Sequence, residues 1–127
     1  MDKQPYVRSE EKDGIAIVEF YHPAHNSLPG DLLADLRDQI MAEGYKSHIN
    51  VILLKSAGDR TFCAGASFNE LASISNEDEG KHFFMGFADV INAIRSCGKI
   101  VVGRIQGKAV GGGVGLAAAC DYTIATK

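Results

Sequence analysis

Between Gly107 and Gly115, five of nine positions are glycine, in the stretch GKAVGGGVGLAAACD (107 to 121). It follows the apolar run KIVVGRIQ and reads as a strand that turns a corner into a helix opened by residues with almost no side chain. A second corner of this kind, FCAGASFNEL, comes after VILLKS. The first N–H groups of a helix have no partner within it and lie at the positive end of its dipole. A small-residue corner thus offers free donors to an anion or a polarised carbonyl, and two such corners side by side aim one N–H each at a single oxygen. That is the geometry of an oxyanion hole. Close packing of a helix on a sheet is the duller use of glycine, and it stands beside the chemical one for either corner alone.

Other chemistries fit less well. GVGLAA (113 to 118) satisfies G-x-G-x-x-A, but its first glycine is seven residues past Gln106 and no acidic residue follows at the spacing a dinucleotide fingerprint needs. The Gly-Lys-Ser/Thr of a P-loop is absent. Cys63 or Ser67 as a nucleophile would need a histidine base, and His22, His25, His48 and His82 read as solvated residues without a supporting motif. Cys63, Cys97 and Cys120 are odd in number and lack metal-ligand spacing, so no metal site is expected; they read as small buried apolar residues of a reducing compartment. Glu70 and Asp121 are the nearest carboxylates, Glu70 on a short solvated helix and Asp121 as a cap or turn residue.

The elements that must position the corners follow from periodicity. YVRSEEKDGIAIVEF is a hairpin turning at Lys12-Asp13-Gly14. A helix aligns Leu32, Leu33, Leu36, Ile40 and Met41, with Gly44 at its stop. VILLKS is a strand covered on both faces. A long helix capped by Ser75, with Asp78 three positions on, sets Phe83, Phe84, Phe87, Ala88, Ile91 and Ile94 on one face and ends before Gly98. KIVVGRIQ and YTIA are strands on either side of the small-residue helix. The alternation specifies an α/β architecture with function on the loops that leave the strands.

Length and composition allow one domain: 127 residues, 46% hydrophobic. A net charge of -3 with mixed signs gives no field for nucleic acid. The charged amino terminus lacks a secretory core and no run approaches the ~20 apolar residues of a membrane span. A soluble, cytoplasmic protein without membrane contact is expected.

Taken in order, GIAIVEFYHPAHNSLPGDLLADL, VILLKSAGDRTFCAGASFNEL and KIVVGRIQGKAVGGGVGLAAACDYTIA resemble the crotonase superfamily, the enoyl-CoA hydratase/isomerase family. The resemblance implies a ClpP/crotonase fold of repeated ββα units, with residues 1–127 the amino-terminal part of a single crotonase-like acyl-CoA-binding domain. It implies an enolate at the thioester carbonyl, held by the backbone N–H groups of Ala66 and Gly112. Ala64, Gly65, Ala66, Ser67 and Phe68 would lie along coenzyme A, with Gly111 and Gly112 at the thioester. Coenzyme A would enter as part of the substrate, with no prosthetic group. The expected activity is an enoyl-CoA hydratase (a lyase) or isomerase of fatty acid metabolism, trimeric or hexameric when full length. Two departures stand out. Ser67 replaces a frequent aspartate, and Gly115 stands where two-glutamate hydratases carry a catalytic glutamate, while the family's other carboxylate lies further along than Lys127. The acid/base is therefore unassigned, and the alternative is a non-catalytic acyl-CoA-binding or assembly protein.

Ending at Lys127 would leave YTIA as an open sheet edge and expose apolar surface. Made alone, the 127-residue chain is expected to self-associate or to lack stability. A sharp, cooperative melt of a monomer in solution would refute this.

Overall fold

The computed structural model describes residues 4–126; residues 1–3 and 127, and with them the expectation attached to Lys127, lie outside the described residues. Asp13 and Gly14 both take positive φ, 53° and 81°, the conformations a two-residue hairpin turn requires. The chain therefore folds back with Lys12 opposite Ile15, pairing β1 (Tyr6–Lys12) antiparallel to β2 (Ile15–Tyr21). After them come α1 (Gly30–Gly44), β3 (Val51–Ser56), β4 (Thr61–Cys63), α2 (Phe68–Ala72) and α3 (Glu77–Ser96). The chain continues through β5 (Ile100–Ile105), β6 (Lys108–Ala109), α4 (Gly112–Ala119) and β7 (Tyr122–Ala125). Three ββα turns are thus complete before β7, as the repeated-unit expectation requires.

In the second and third turns the two strands part company. Strands β3 and β5 join the five-stranded sheet, ordered β1-β2-β3-β5-β7 and parallel from β2 onward. Strands β4 and β6 pair with each other in a separate two-stranded sheet. The core lies where α1 and α3 meet the large sheet: Ala16, Val18 and Phe20 of β2 and Ile52 and Leu54 of β3 pack with Leu33, Leu36, Ile40 and Ile94. Successive strand residues face opposite ways, and Val51 and Leu53 are only half-buried. Full cover of β3 on both faces, as its apolar run suggested, is therefore not what the structure shows.

Three expectations about the helices are refined. The cap of α3 is Asn76, not Ser75: its side chain accepts from the Glu79 N–H at 2.8 Å, and the Glu79 carboxylate reaches back to the Ser75 N–H at 3.1 Å. Glu79, three positions after the cap, thus bonds the N–H of the residue before it, a variant of the capping box. Along α3 the inward residues are Phe83, Val90, Ala93 and Ile94, whereas Phe84 is 67% exposed. Adjacent helical residues diverge by about 100°, so Phe83 and Phe84 cannot both face the core; their rings meet edge to face at 5.3 Å. Gly44 does end α1, but by contact: a Cβ there would lie 2.5 Å from the Cys97 carbonyl oxygen. Gly98, with φ of 83°, terminates α3 in the left-handed manner expected.

The outer edge of β7 has no partner strand among the described residues, and Tyr122, Thr123, Ile124 and Ala125 are all exposed. At the opposite edge, β1 is tied to the end of α1 by side chains. Buried Glu43 accepts from the Ser9 hydroxyl at 3.1 Å and from Lys46 at 3.0 Å. Lys46 also pairs with Glu11, which meets His48 at 2.6 Å. The Lys46 and His48 bonds lower the Glu11 carboxyl from 4.5 to about 2. A lowered folded-state pKa contributes stability that is complete above the unfolded value and is lost as pH falls through the folded one. The stability lead of wild type over Glu11→Gln should therefore be constant near neutral pH and shrink from about pH 4.5 towards about 2. Urea midpoints of both proteins across that range check this, and a pH-independent difference refutes it.

Candidate functional site

Pairing of β4 with β6 lays the two glycine-rich corners against each other. Thr61 sits opposite Lys108 and Cys63 opposite Ala109, and the Val110 N–H donates to the Cys63 carbonyl at 3.0 Å. The approach is too close for side chains. A Cβ on Gly107 would lie 2.2 Å from the Arg60 carbonyl oxygen, and one on Gly113 would lie 2.5 Å from that of Cys63. A Cβ on Gly65 would lie 2.9 Å from the Val110 oxygen and 3.5 Å from the Gly112 nitrogen. Ala64–Ala66 of the first corner and Gly111–Gly113 of the second are thus neighbours in space.

Each corner turns on a glycine that other residues could not replace. Gly65 has φ of 93°, and Gly111 has φ of 56° with ψ of -124°, regions essentially closed to residues with a Cβ. The carbonyl of each glycine is held: Gly65 O accepts from Leu28 N at 2.8 Å and Gly111 O from Val114 N at 3.0 Å. No cis peptide is present among the described residues. In a planar trans peptide the carbonyl and the N–H point in opposite directions, so the Ala66 and Gly112 N–H groups are turned away from these partners. Neither donates to any hydrogen bond among the described residues, although both residues are half-buried.

The remaining glycines of the second corner serve packing. A Cβ on Gly112 would meet the Phe87 ring at 2.5 Å, and one on Gly115 would come within 3.1 Å of Ile91 Cδ1. Helix α3 therefore lies directly on the small-residue face of α4. Only Gly111 of the triplet opens onto unfilled space, with nothing within 4 Å of a Cβ built there. The crowding that strips this stretch of side chains comes largely from the protein's own Arg60, Cys63 and Phe87.

The other sequence candidates are spoken for. Ser67 caps α2 by accepting from Glu70 N at 3.3 Å. Phe68 is 83% exposed beside the first corner, and Ala64 is half-buried. Glu70 is not a free solvated carboxylate: both its oxygens accept from Gly30 N at 3.0 Å, because the cap residue of α1, Pro29, has no side-chain acceptor. Asp121 accepts from Val101 N at 2.8 Å and is the turn residue expected. Burial pushes the thiols of Cys63 and Cys120 up to about 11, so both stay protonated and unreactive near neutral pH. Burial also lowers the pKa of His22, and neither Cys63 nor Ser67 is hydrogen-bonded to a histidine among the described residues. Gly115 supplies no acid. No group of residues suited to a metal ion occurs among the described residues, and no helix there is long and apolar enough to cross a membrane.

Sequence reading missed the residues that brace the corners. Asn26, with φ of 57° and almost fully buried, donates to the carbonyls of Ala57 and Thr61 at 2.9 Å and fixes the loop that enters β4. Buried Gln106 donates to Ser56 Oγ at 2.9 Å from the other side. Asn26 stands between His25 and Ser27 and Gln106 between Ile105 and Gly107, so their neighbours in sequence mark neither, and the groups they brace are more than thirty residues away. A cavity of about 640 Å³ lies between α1, α2 and α3, lined in part by Ala34, Glu70, Ile74, His82 and Phe83; neither Ala66 nor Gly112 lines it.

The family model for enoyl-CoA hydratase/isomerase matches residues 10–127. An ethylmalonyl-CoA decarboxylase from Xenopus tropicalis is 31% identical over 121 residues, covering 94% of this chain and 40% of that protein. A short-chain-enoyl-CoA hydratase from Clostridium acetobutylicum is 33% identical over 120 residues, covering 92% and 45%. The crystal structure of an enoyl-CoA hydratase from Bacillus anthracis superposes with a TM-score of 0.87 at 26% identity, covering 94% of this chain and 46% of that one. The chain thus spans less than half the length of each of these relatives, and its mixed α/β fold is crotonase-like. Three ββα turns, two abutting glycine corners and a match over nearly the whole chain lead to one conclusion: the chain belongs to the enoyl-CoA hydratase/isomerase family.

Proposed function

We propose that the full-length protein acts on an acyl-CoA thioester, and that residues 1–127 are the amino-terminal part of its single acyl-CoA-binding domain. The observation that carries this reading is the pair of unpartnered N–H groups, Ala66 and Gly112, on abutting corners. Deprotonation beside a thioester, or addition to its conjugated double bond, moves negative charge onto the carbonyl oxygen. Two preorganised donors match that charge, and loss of one such donor costs about 3 kcal/mol of barrier. Ala64, Gly65, Ser67 and exposed Phe68 flank the path of coenzyme A, with Gly111 at the open side of the thioester.

Hydration and double-bond migration both use this hole, and either needs a proton carrier. Gly115 cannot serve, while Glu70 and Asp121 are engaged with backbone N–H groups. We therefore place the carrier in the length by which relatives exceed this chain, together with the surfaces for a homotrimer or hexamer. A second reading, acyl-CoA binding without turnover, is favoured by the same glycine.

Full-length protein incubated with crotonyl-, methylglutaconyl- and 3-enoyl-CoA separates them. Turnover of at least one is expected. Tight binding without turnover of any supports the second reading, and no binding overturns both. Gly111→Ala should destabilise the fold by about 1–3 kcal/mol through backbone conformation alone, because nothing blocks its methyl. Urea unfolding measures this loss; unchanged stability would show that the corner does not depend on Gly111.

A further inference from the structure

We propose that Glu70 is a positioning residue: its carboxylate holds the segment 28–30 in place, and through it sets the direction of the Ala66 N–H. The proposal rests on the reading of Ala66 as an oxyanion donor. Helix α1 begins without a side-chain cap, since Pro29 has neither a hydroxyl nor a carboxylate. Its first helical residue, Gly30, instead gives its N–H to both oxygens of Glu70, each at 3.0 Å. Two residues earlier, the Leu28 N–H donates to Gly65 O at 2.8 Å, and Leu28 bridges Ala66 in parallel register. The segment 28–30 is thereby fastened to 65–70 at both ends, once through backbone and once through the Glu70 side chain. Ser67 closes the arrangement by accepting from Glu70 N at 3.3 Å.

The direction of the Ala66 donor follows from this clamp. The Gly65 carbonyl and the Ala66 N–H belong to one planar trans peptide. Whatever moves Leu28 relative to Gly65 rotates that plane and swings the Ala66 N–H with it. Gly65, with φ of 93°, offers little side-chain resistance to such a rotation, and within the corner its N–H meets only the Cys63 sulfur at 3.4 Å, so the Leu28 bond to its carbonyl supplies the further restraint. Gly30 fits the same account: a Cβ there would lie 3.2 Å from Glu70 Oε1 and crowd the carboxylate it serves. Glu70 touches no reacting atom in this account. Its effect passes entirely through Gly30, Leu28 and Gly65.

The test uses full-length protein, with Glu70→Ala removing the clamp, Glu70→Gln retaining one acceptor oxygen, and Gly30→Ala pressing on it from the other side. Two readouts are taken. The first is the Ala66 amide resonance of the free protein, which reports the clamp without any ligand. The second is the carbonyl stretching frequency of bound butyryl-CoA carrying carbon-13 at the thioester carbonyl, which reports polarisation by the hole. In Glu70→Ala the Ala66 resonance should shift or broaden while core amides keep their positions. The bound carbonyl should lose part of its low-frequency shift, and kcat should fall by ~10- to 100-fold with KM little changed. Glu70→Gln should restore much of each, and Gly30→Ala should reproduce the loss in part. An Ala66 resonance unchanged in both Glu70→Ala and Gly30→Ala overturns the clamp. A wild-type protein that leaves the bound carbonyl unshifted overturns the oxyanion reading instead, and the Ala66 resonance still decides the clamp.

Discussion

A trans peptide cannot aim its carbonyl and its N–H in the same direction, and the candidate site depends on that constraint at two places. At Gly65–Ala66 and Gly111–Gly112 the carbonyl is bound on one side, which leaves the N–H facing the other. The rest of the structure holds those two peptides in register. Strands β4 and β6 bring the corners together, Asn26 and Gln106 anchor the loops around them, and α3 presses Phe87 and Ile91 onto α4. A backbone donor needs no particular side chain to exist. It needs a scaffold rigid enough to leave it unpaired in a half-buried setting, where an unmade hydrogen bond is ordinarily unfavourable.

The sequence makes legible whatever local chemistry decides. Asp13-Gly14 specifies a tight turn by itself, and the spacing of Leu32, Leu33, Leu36 and Ile40 specifies a helix face by itself. Both glycine corners were visible for the same reason. The failures lie where a partner distant in the chain decides. Phe84 fits an apolar stripe as well as Phe87 does, and only the location of α1 and α4 shows which of them faces inward. Glu70 looks like a solvated helix residue until α1 is found to begin beside it. Ser75 and Asn76 both suit a helix cap, and a shift of one residue in the start of α3 is a finer margin than spacing can settle.

The site also divides labour between backbone and side chain. In the proposed reading, charge on a carbonyl oxygen is met by peptide N–H groups, which among single substitutions only proline removes. Moving a proton needs a titratable group, and the carboxylates that the motifs place beside these corners, Glu70 and Asp121, are occupied in holding α1 and β5. The two unpartnered N–H groups are thus held independently of any titratable side chain.

The glycines of the second corner differ in what stands in their way, and that difference bears on how the protein can evolve. At Gly107 and Gly113 the obstacle is main chain, which cannot yield without parting β4 from β6. At Gly111 it is the dihedral pair itself. At Gly115 it is one methyl group at the tip of Ile91, a neighbour able to give way by a few tenths of an ångström. Under random mutation the first three positions are frozen by architecture, while the fourth is open to drift. That position lies on α4 only three residues from Gly112, so a side chain can be tried there without dismantling the corner beside it.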